Sequence, residues 1–426
     1  MISPLALLLV LLPASHSSGG LLPVVQADTL TLEWAYAAAL SNHPLRDEPG
    51  AQRRSGELLA TAIRSGALPA ISVSAQAVYH SDVANLGLNL PGVDLPSVPH
   101  DQYRAGLGFE SLVYGRKAIE KRGDIAHADS RIAEIEAQVS IWSSRQRVEH
   151  VFFGILKAEA LKEALLSHME VLEARTRQLE VAVAGGVATA ASVNVLQAEI
   201  LRLEQEQLGA EVARASSLDV LGILTGRRLA ATEIIALPRA PAAVPARPES
   251  ALFDATRKRL DRQDELTTEK LKPSVQAFGD VSVGQPPGLN LFGQEFEPFF
   301  SVGLRLKWPV WDWRASAQER QAISIQREMV DARQAAFVDA VDAESVGLVR
   351  EVAKYPGMRD RDERIISLRT AVESDAASRL ENGVATATDY LVEANAVFQA
   401  RFDKRMHEIQ FAEARARLAT ITGDKQ

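Results

Sequence analysis

The chain has 426 residues, 46% of them hydrophobic and 24% charged, with 26 glycines, 19 prolines and no cysteine. This is the composition of a folded protein with ample apolar material, and it leaves no route to disulfides or to a lipidated cysteine. A net charge of -8, with no basic cluster larger than Arg257-Lys258-Arg259, excludes the basic stripe that a nucleic-acid partner requires.

Residues 1-27 carry no Asp, Glu, Lys or Arg, and the apolar run Leu5 to Leu12 is followed by small residues and Val25-Gln26-Ala27. The pattern predicts a signal peptide over 1-27, cut after Ala27. No later stretch reaches the run of about 18 apolar residues that a membrane helix needs.

Leu30 to Pro44 opens on Thr31 and Glu33 before an Ala/Leu-rich run and stops at a proline, which predicts a short capped helix. A second helical stretch, Ala51 to Ala67, leads to Leu68-Pro69, and the period then changes. Ile71, Val73, Ala75, Ala77 and Tyr79 alternate with Ser72, Ser74 and Gln76, and after a loop over Ser81 to Asp101, Tyr103, Ala105, Leu107 and Phe109 alternate with Arg104 and Glu110. Period-two alternation predicts a hairpin with one apolar and one polar face.

From Gly115 to Ala184 there is no proline, and Ile132, Ile135, Val139, Trp142, Leu165, Leu172 and Leu179 fall at coiled-coil steps. About 70 residues at 1.5 Å each make a helix on the order of 100 Å long. Gly186-Val187-Ala188 predicts a turn at its tip, and Leu196, Leu203 and Ala210 mark a return arm ending at Gly226. A proline-rich linker, 237-249, separates this first repeat (28-236) from a second (250-426).

The second repeat retells the first. Gly383-Val384-Ala385 forms the second tip, 197 residues after Gly186, and each tip glycine precedes a Thr-Gly helix end by 40 residues. Gly106 and Gly303 are also 197 apart, whereas Pro69 and Pro273 are 204 apart, so the first hairpin is seven residues longer. Val275, Ala277, Val281 and Val283, then Phe300, Val302, Leu304, Leu306, Trp308 and Val310, predict its strands, with Arg305 and Lys307 on the polar side. The copy departs from the first in a shorter leading helical segment (Ser250 to Lys272) and in Tyr355-Pro356-Gly357, which predicts a kink or local break.

Four half-apolar strands leave open edges and must close with strands from other chains; three copies make a barrel of twelve. In order and duplicated spacing, the LTLEWAYAAALSNHP segment, the junctions Leu112-Val113-Tyr114-Gly115 and Pro309-Val310-Trp311-Asp312, VLQAE at 195-199 and the hairpin GVATATDYLVEAN resemble the TolC-like outer-membrane efflux family. The resemblance covers roughly 30-226 and 249-423. It implies an α+β fold: a long coiled-coil α-helical tunnel plus a transmembrane β-barrel assembled from three chains of four strands each, with an internal two-fold repeat.

It further implies a homotrimer in the outer membrane, in contact with its lipid and extending into the periplasm, with no catalyst, cofactor or metal. Its role would be the exit duct of a tripartite efflux pump or type I secretion system, with a periplasmic adaptor protein and an inner-membrane transporter as partners. The tips, Gly186, Val187, Ala188, Gly383, Val384 and Ala385, would dock the adaptor. Asp389, with Glu393 one turn on, matches the carboxylates that constrict the entrance in some members; a plain N-cap is the competing reading of Asp389. Ser192 holds the equivalent place in the first copy.

Two other kinds of protein share parts of this pattern. A periplasmic adaptor has one hairpin flanked by β-barrel modules, and a coiled-coil structural protein has no use for alternating strands. The residues themselves offer no metal or nucleotide chemistry: Asp124-x-x-His127 is the nearest pair to a ligand motif, and Gly106-x-Gly108 lacks the third glycine and βα turn of a dinucleotide loop. Trp308, Trp311 and Trp313 read either as an interfacial belt or as packing.

Overall fold

The computed structural model describes residues 29-84, 98-239, 244 and 246-423. The expected signal peptide lies outside the described residues, as does part of the linker. The elements are α1 (Leu32–Asn42), α2 (Glu48–Ser65), β1 (Ala70–Tyr79), β2 (Asp101–Tyr114), α3 (Lys117–Ala184), α4 (Ala190–Thr225), α5 (Pro248–Glu269), β3 (Ser274–Gln285), β4 (Glu297–Lys307), α6 (Ala315–Glu381) and α7 (Ala387–Thr422). The fold is α+β, with a small antiparallel sheet and two long helical hairpins, α3-α4 and α6-α7.

Local chemistry sets the boundaries. Thr31 caps α1 by accepting from the Trp34 amide at 3.1 Å. Gly226 ends α4 in the left-handed conformation, at φ 70°, where a side chain would be strained. Where α2 and α3 approach, a Cβ on Gly56 would stand 2.1 Å from the Ser130 Cβ, so the crossing tolerates no side chain there.

The four strands form one sheet in the order β1-β2-β3-β4, antiparallel throughout, with β1 and β4 at its open edges. Ser74 pairs with Gly106 and Phe278 with Gly303, each five residues after its proline, which leaves the seven-residue difference between the hairpins in the turn of the first. Val113 is the extra residue of a bulge at the foot of β2, between Leu112 and Tyr114.

The seam residues meet as their spacing predicts. Leu165, Leu172 and Leu179 of α3 are buried with Leu196 and Leu203 of α4 and with Ala387, Tyr390 and Ala394 of α7 in one cluster, which joins the two hairpins. A second cluster wraps α1 and the Leu30–Ile235 bridge against Phe152, Phe153 and Ile155 of α3, Leu221 of α4 and Ile409 of α7. Inside it the Tyr36 hydroxyl donates to Glu149 Oε1 at 2.5 Å and the Thr420 hydroxyl donates to the same oxygen.

Pro356 does not break α6, which runs unbroken through it from Ala315 to Glu381. The local break expected there is corrected for a physical reason: Tyr355 is buried against Phe411 and His407 of α7, while Pro356 and Gly357 lie on the exposed side, where water can reach the backbone carbonyl that the proline leaves unpaired.

Candidate functional site: the two sheet faces and the hairpin tips

Cross-strand partners in a sheet share a face, so the register assigns every strand residue a side. Ile71 pairs with Phe109, Val73 with Leu107 and Ala75 with Ala105; Leu107 pairs with Val281 and Ala105 with Val283; Val281 then pairs with Phe300, Ala277 with Leu304 and Val275 with Leu306. One apolar face therefore runs unbroken across all four strands. It is bare in the isolated chain: Ile71 is 77% exposed, Val302 77% and Leu304 72%.

The opposite face carries Ser72, Ser74, Gln76, Arg104, Glu110, Arg305 and Lys307, as alternation predicts. It also carries two aromatics that alternation alone does not single out. Phe278 lies over Gly303 under the Arg305 guanidinium (5.1 Å to the ring centre), and Phe299 lies against Gly284 and Gly288 under Arg104 (5.1 Å). Each fills the space a glycine leaves and is capped by a cation. Gln276 donates to Glu110 at 3.0 Å, and Ser282 donates to Asp280 at 2.8 Å, so some polar groups of this face pair with one another.

At the foot of the sheet, Trp308, Trp311 and Trp313 stand free of the core, with Trp313 83% exposed. Packing within the chain therefore does not account for them. Trp313 and Arg314 adopt φ of 54° and 66°, and Asp312 holds this turn by accepting from the amides of Arg314 (3.0 Å) and Ser316 (2.9 Å).

The two tips share one geometry. Gly186 and Gly383 have φ of 76° and 67°, with no atoms within 4 Å of where a Cβ would stand. The Val187 amide donates to Ala182 O at 2.8 Å and the Val384 amide to Arg379 O at 2.9 Å, and Ala188 and Ala385 repeat this at 3.2 Å. Val187 and Val384 are exposed at the apices.

Beyond the apices the copies diverge. Asp389 is not the N-cap of α7: Thr386 is, and Asp389 is the third residue of a capping box. Its carboxylate accepts from the Thr386 amide (2.9 Å) and hydroxyl (2.7 Å), while its own amide donates to that hydroxyl at 3.2 Å. These bonds to Thr386 hold its pKa below the ordinary carboxylate value, with a smaller contribution from Arg379. Glu393 does not join it, because Arg369 of α6 reaches its carboxylate at 3.4 Å. In the first copy Ser192 meets Thr189 hydroxyl to hydroxyl at 3.2 Å, without charge.

Sequence reasoning did not find the polar links between the hairpins. Arg175 of α3 bonds Glu381 at 2.6 Å and stacks over the buried Tyr390 ring at 4.9 Å. His168 of α3 bonds Asn395 of α7 at 2.7 Å, and Asn395 donates to Glu199 of α4 at 3.1 Å. The available signal was disagreement between the copies: Tyr390 stands where the first copy has Val193.

Among the described residues no group of three or more His, Asp or Glu side chains could hold a metal ion, and Asp124 instead pairs with Arg64 at 2.7 Å. No helix of the described residues is long and apolar enough to cross a membrane.

A four-stranded open sheet feeding two long helical hairpins is the TolC-like outer-membrane-channel fold. The chain is similar to the outer membrane protein VceC of Vibrio cholerae (TM-score 0.70, 14% identity, 93% of this chain and 97% of that chain). It is similar also to the outer membrane channel CmeC of Campylobacter jejuni (TM-score 0.69, 13% identity, 97% and 93%). The open state of the outer membrane channel MtrE of Neisseria gonorrhoeae is a third such structure (TM-score 0.67, 15% identity, 92% and 88%). At these identities the likeness is one of fold. No protein-family model matches the chain, and no curated protein matches its sequence. An adaptor with a single hairpin is not favoured by this architecture.

Proposed function

We propose that the chain is one protomer of a homotrimeric outer-membrane channel, the exit duct of a tripartite efflux pump or type I secretion system. The observation that carries this reading is the sheet: an unbroken, exposed apolar face on one side, a polar face on the other, and unpaired edges at β1 and β4. Such a sheet is stable in a bilayer only when its edges are closed by other copies, with the apolar face to lipid and the polar face to water. Apolar stripes on the helices support the same assembly: Leu201, Leu208 and Val212 on α4, and Ile365, Leu368 and Val372 on α6, are exposed in the isolated chain. The protein performs no catalysis in this reading.

The test is the mass and heat-modified gel mobility of the detergent-extracted protein from outer-membrane fractions. A trimer whose mobility shifts on boiling is expected; a stable water-soluble monomer would overturn the reading.

In the same reading the tips Gly186-Val187-Ala188 and Gly383-Val384-Ala385 dock a periplasmic adaptor that joins the duct to an inner-membrane transporter. Three Asp389 carboxylates, ionised and exposed, form a cation-holding ring near the axis, while Glu393 is engaged by Arg369. Asp389→Asn retains an oxygen that can accept from Thr386 but loses the charge. In planar bilayers it should lower cation selectivity, with a wild-type preference that fades as salt screens it over about 10 Å at 0.1 M. Unchanged selectivity would leave Asp389 as a capping residue alone.

A further inference from the structure

Where β2 becomes α3 and α5 becomes β3, a cavity of about 490 Å³ opens beside Pro309, within the size range of ligand pockets. Six cationic side chains line it, Arg116, Lys117, Arg122, Lys270, Lys272 and Lys307, against one carboxylate, Glu269. Glu269 is taken by Lys272 at 2.7 Å and Lys270 by Glu319 at 3.3 Å, whereas Lys117, Arg122 and Lys307 have no carboxylate partner among the described residues. The amino end of the 68-residue α3 has no side-chain cap and adds its positive dipole to the same space. In a protein of net charge -8 this excess of unpaired cations is local and calls for an anion.

The surroundings identify the anion. Val113 and Tyr114 line the cavity together with Ser274 and Lys307; Tyr114 pairs with Val275 on the apolar face and Ser274 with Lys307 on the polar one, so the cavity straddles the foot of the sheet. Trp308, Val310, Trp311 and Trp313 stand exposed at the same foot of the barrel. Tryptophans gather where acyl chains give way to headgroups, and cationic pockets at that depth meet lipid phosphates. We propose that this cavity binds the phosphodiester headgroup of an anionic glycerophospholipid from the periplasmic leaflet, seating the barrel at a fixed depth. The proposal rests on the outer-membrane reading above.

The tryptophans supply the assay. Full-length protein in mild detergent is titrated with phosphatidylglycerol or phosphatidylcholine carrying the same brominated chains, and tryptophan quenching is read. Phosphatidylglycerol should bind more tightly than phosphatidylcholine by about fivefold for each unpaired cation it engages. Lys117→Gln with Arg122→Gln should abolish most of that preference while leaving the phosphatidylcholine curve in place, and each single change should remove about one fivefold step should the double variant fold poorly. Arg177→Gln, an exposed arginine near the tip of the same helix, should change nothing.

Equal binding of the two lipids by the wild-type protein, or a preference that survives the double substitution, would overturn the proposal. Displacement of phosphatidylglycerol by an equal concentration of free glycerol phosphate would reassign the cavity to a soluble phosphate and overturn the lipid. Quenching by neither lipid would instead sink the membrane reading itself.

Discussion

Val302 offers the sharpest test of the two-faced sheet. It lies midway along β4, pairs with Gly279 of β3, and is 77% exposed on the apolar face. An arginine there, if that face meets lipid near the bilayer midplane, costs about 2 to 4 kcal/mol per chain, whereas near the interface the cost falls to about 0 to 1 kcal/mol. Leu306 is on the same face beside Lys307 and Trp308, at the foot, so Leu306→Arg should fall in the lower range. Ser301, one residue from Val302, pairs with Asp280 on the polar face, so Ser301→Arg gains a carboxylate neighbour and should be near neutral. In free energy the Val302→Arg cost is a shift of roughly 30- to 700-fold in the folding equilibrium. Urea titration of the heat-modifiable band in phospholipid vesicles measures it for all three variants. Equal losses for Val302→Arg and Ser301→Arg would refute the facial assignment, and equal losses for Val302→Arg and Leu306→Arg would refute the depth assigned to the strand.

Three further outcomes are expected. Burial pushes the Glu149 pKa up despite the bonds from Thr420 and Tyr36, and its Oε2 has no partner among the described residues; a raised folded-state pKa contributes stability present below the unfolded value and lost as pH rises through the folded one, so Glu149→Gln should flatten a decline in thermal stability with rising pH. Gly186→Ala meets open space but a left-handed backbone, so calorimetry should show a loss of about 1 to 2 kcal/mol from conformation alone. Pro356→Ala restores a donor to the Val352 carbonyl in an unbroken helix, and unfolding should show a gain of about 1 to 3 kcal/mol; a loss would mean that the proline shapes α6 in a way the assembly needs.

The faces of the sheet and the seam of the hairpins were legible because each follows from a period: two for Ile71 to Tyr79, seven for Leu165, Leu172 and Leu179. The roles of Phe278 and Phe299 were not, because an aromatic on a polar face makes sense only when the cross-strand register sets it over Gly303 or Gly284. Pro356 misled for the opposite reason. Its local rule was sound, but the burial of Tyr355 against α7 holds the helix across a missing bond that water can offset.

The tip was partly legible and was misread by three residues. Thr386-x-x-Asp389 is a capping box in the sequence itself, and the first copy's Thr189-x-x-Ser192 shows that the turn closes without an acidic residue. That contrast bears on function. If the two hairpins had only to turn and return, one cap chemistry would serve both, as one apex geometry does. The copies instead part just beyond a shared apex, at Asp389 for Ser192 and Tyr390 for Val193, where one change adds an exposed charge and the other gives Arg175 a buried aromatic face across the hairpins. Duplication thus supplies two like hairpins, and the departures put this charge and this cross-link on the second hairpin alone, so the trimer proposed above would carry these features three times and not six.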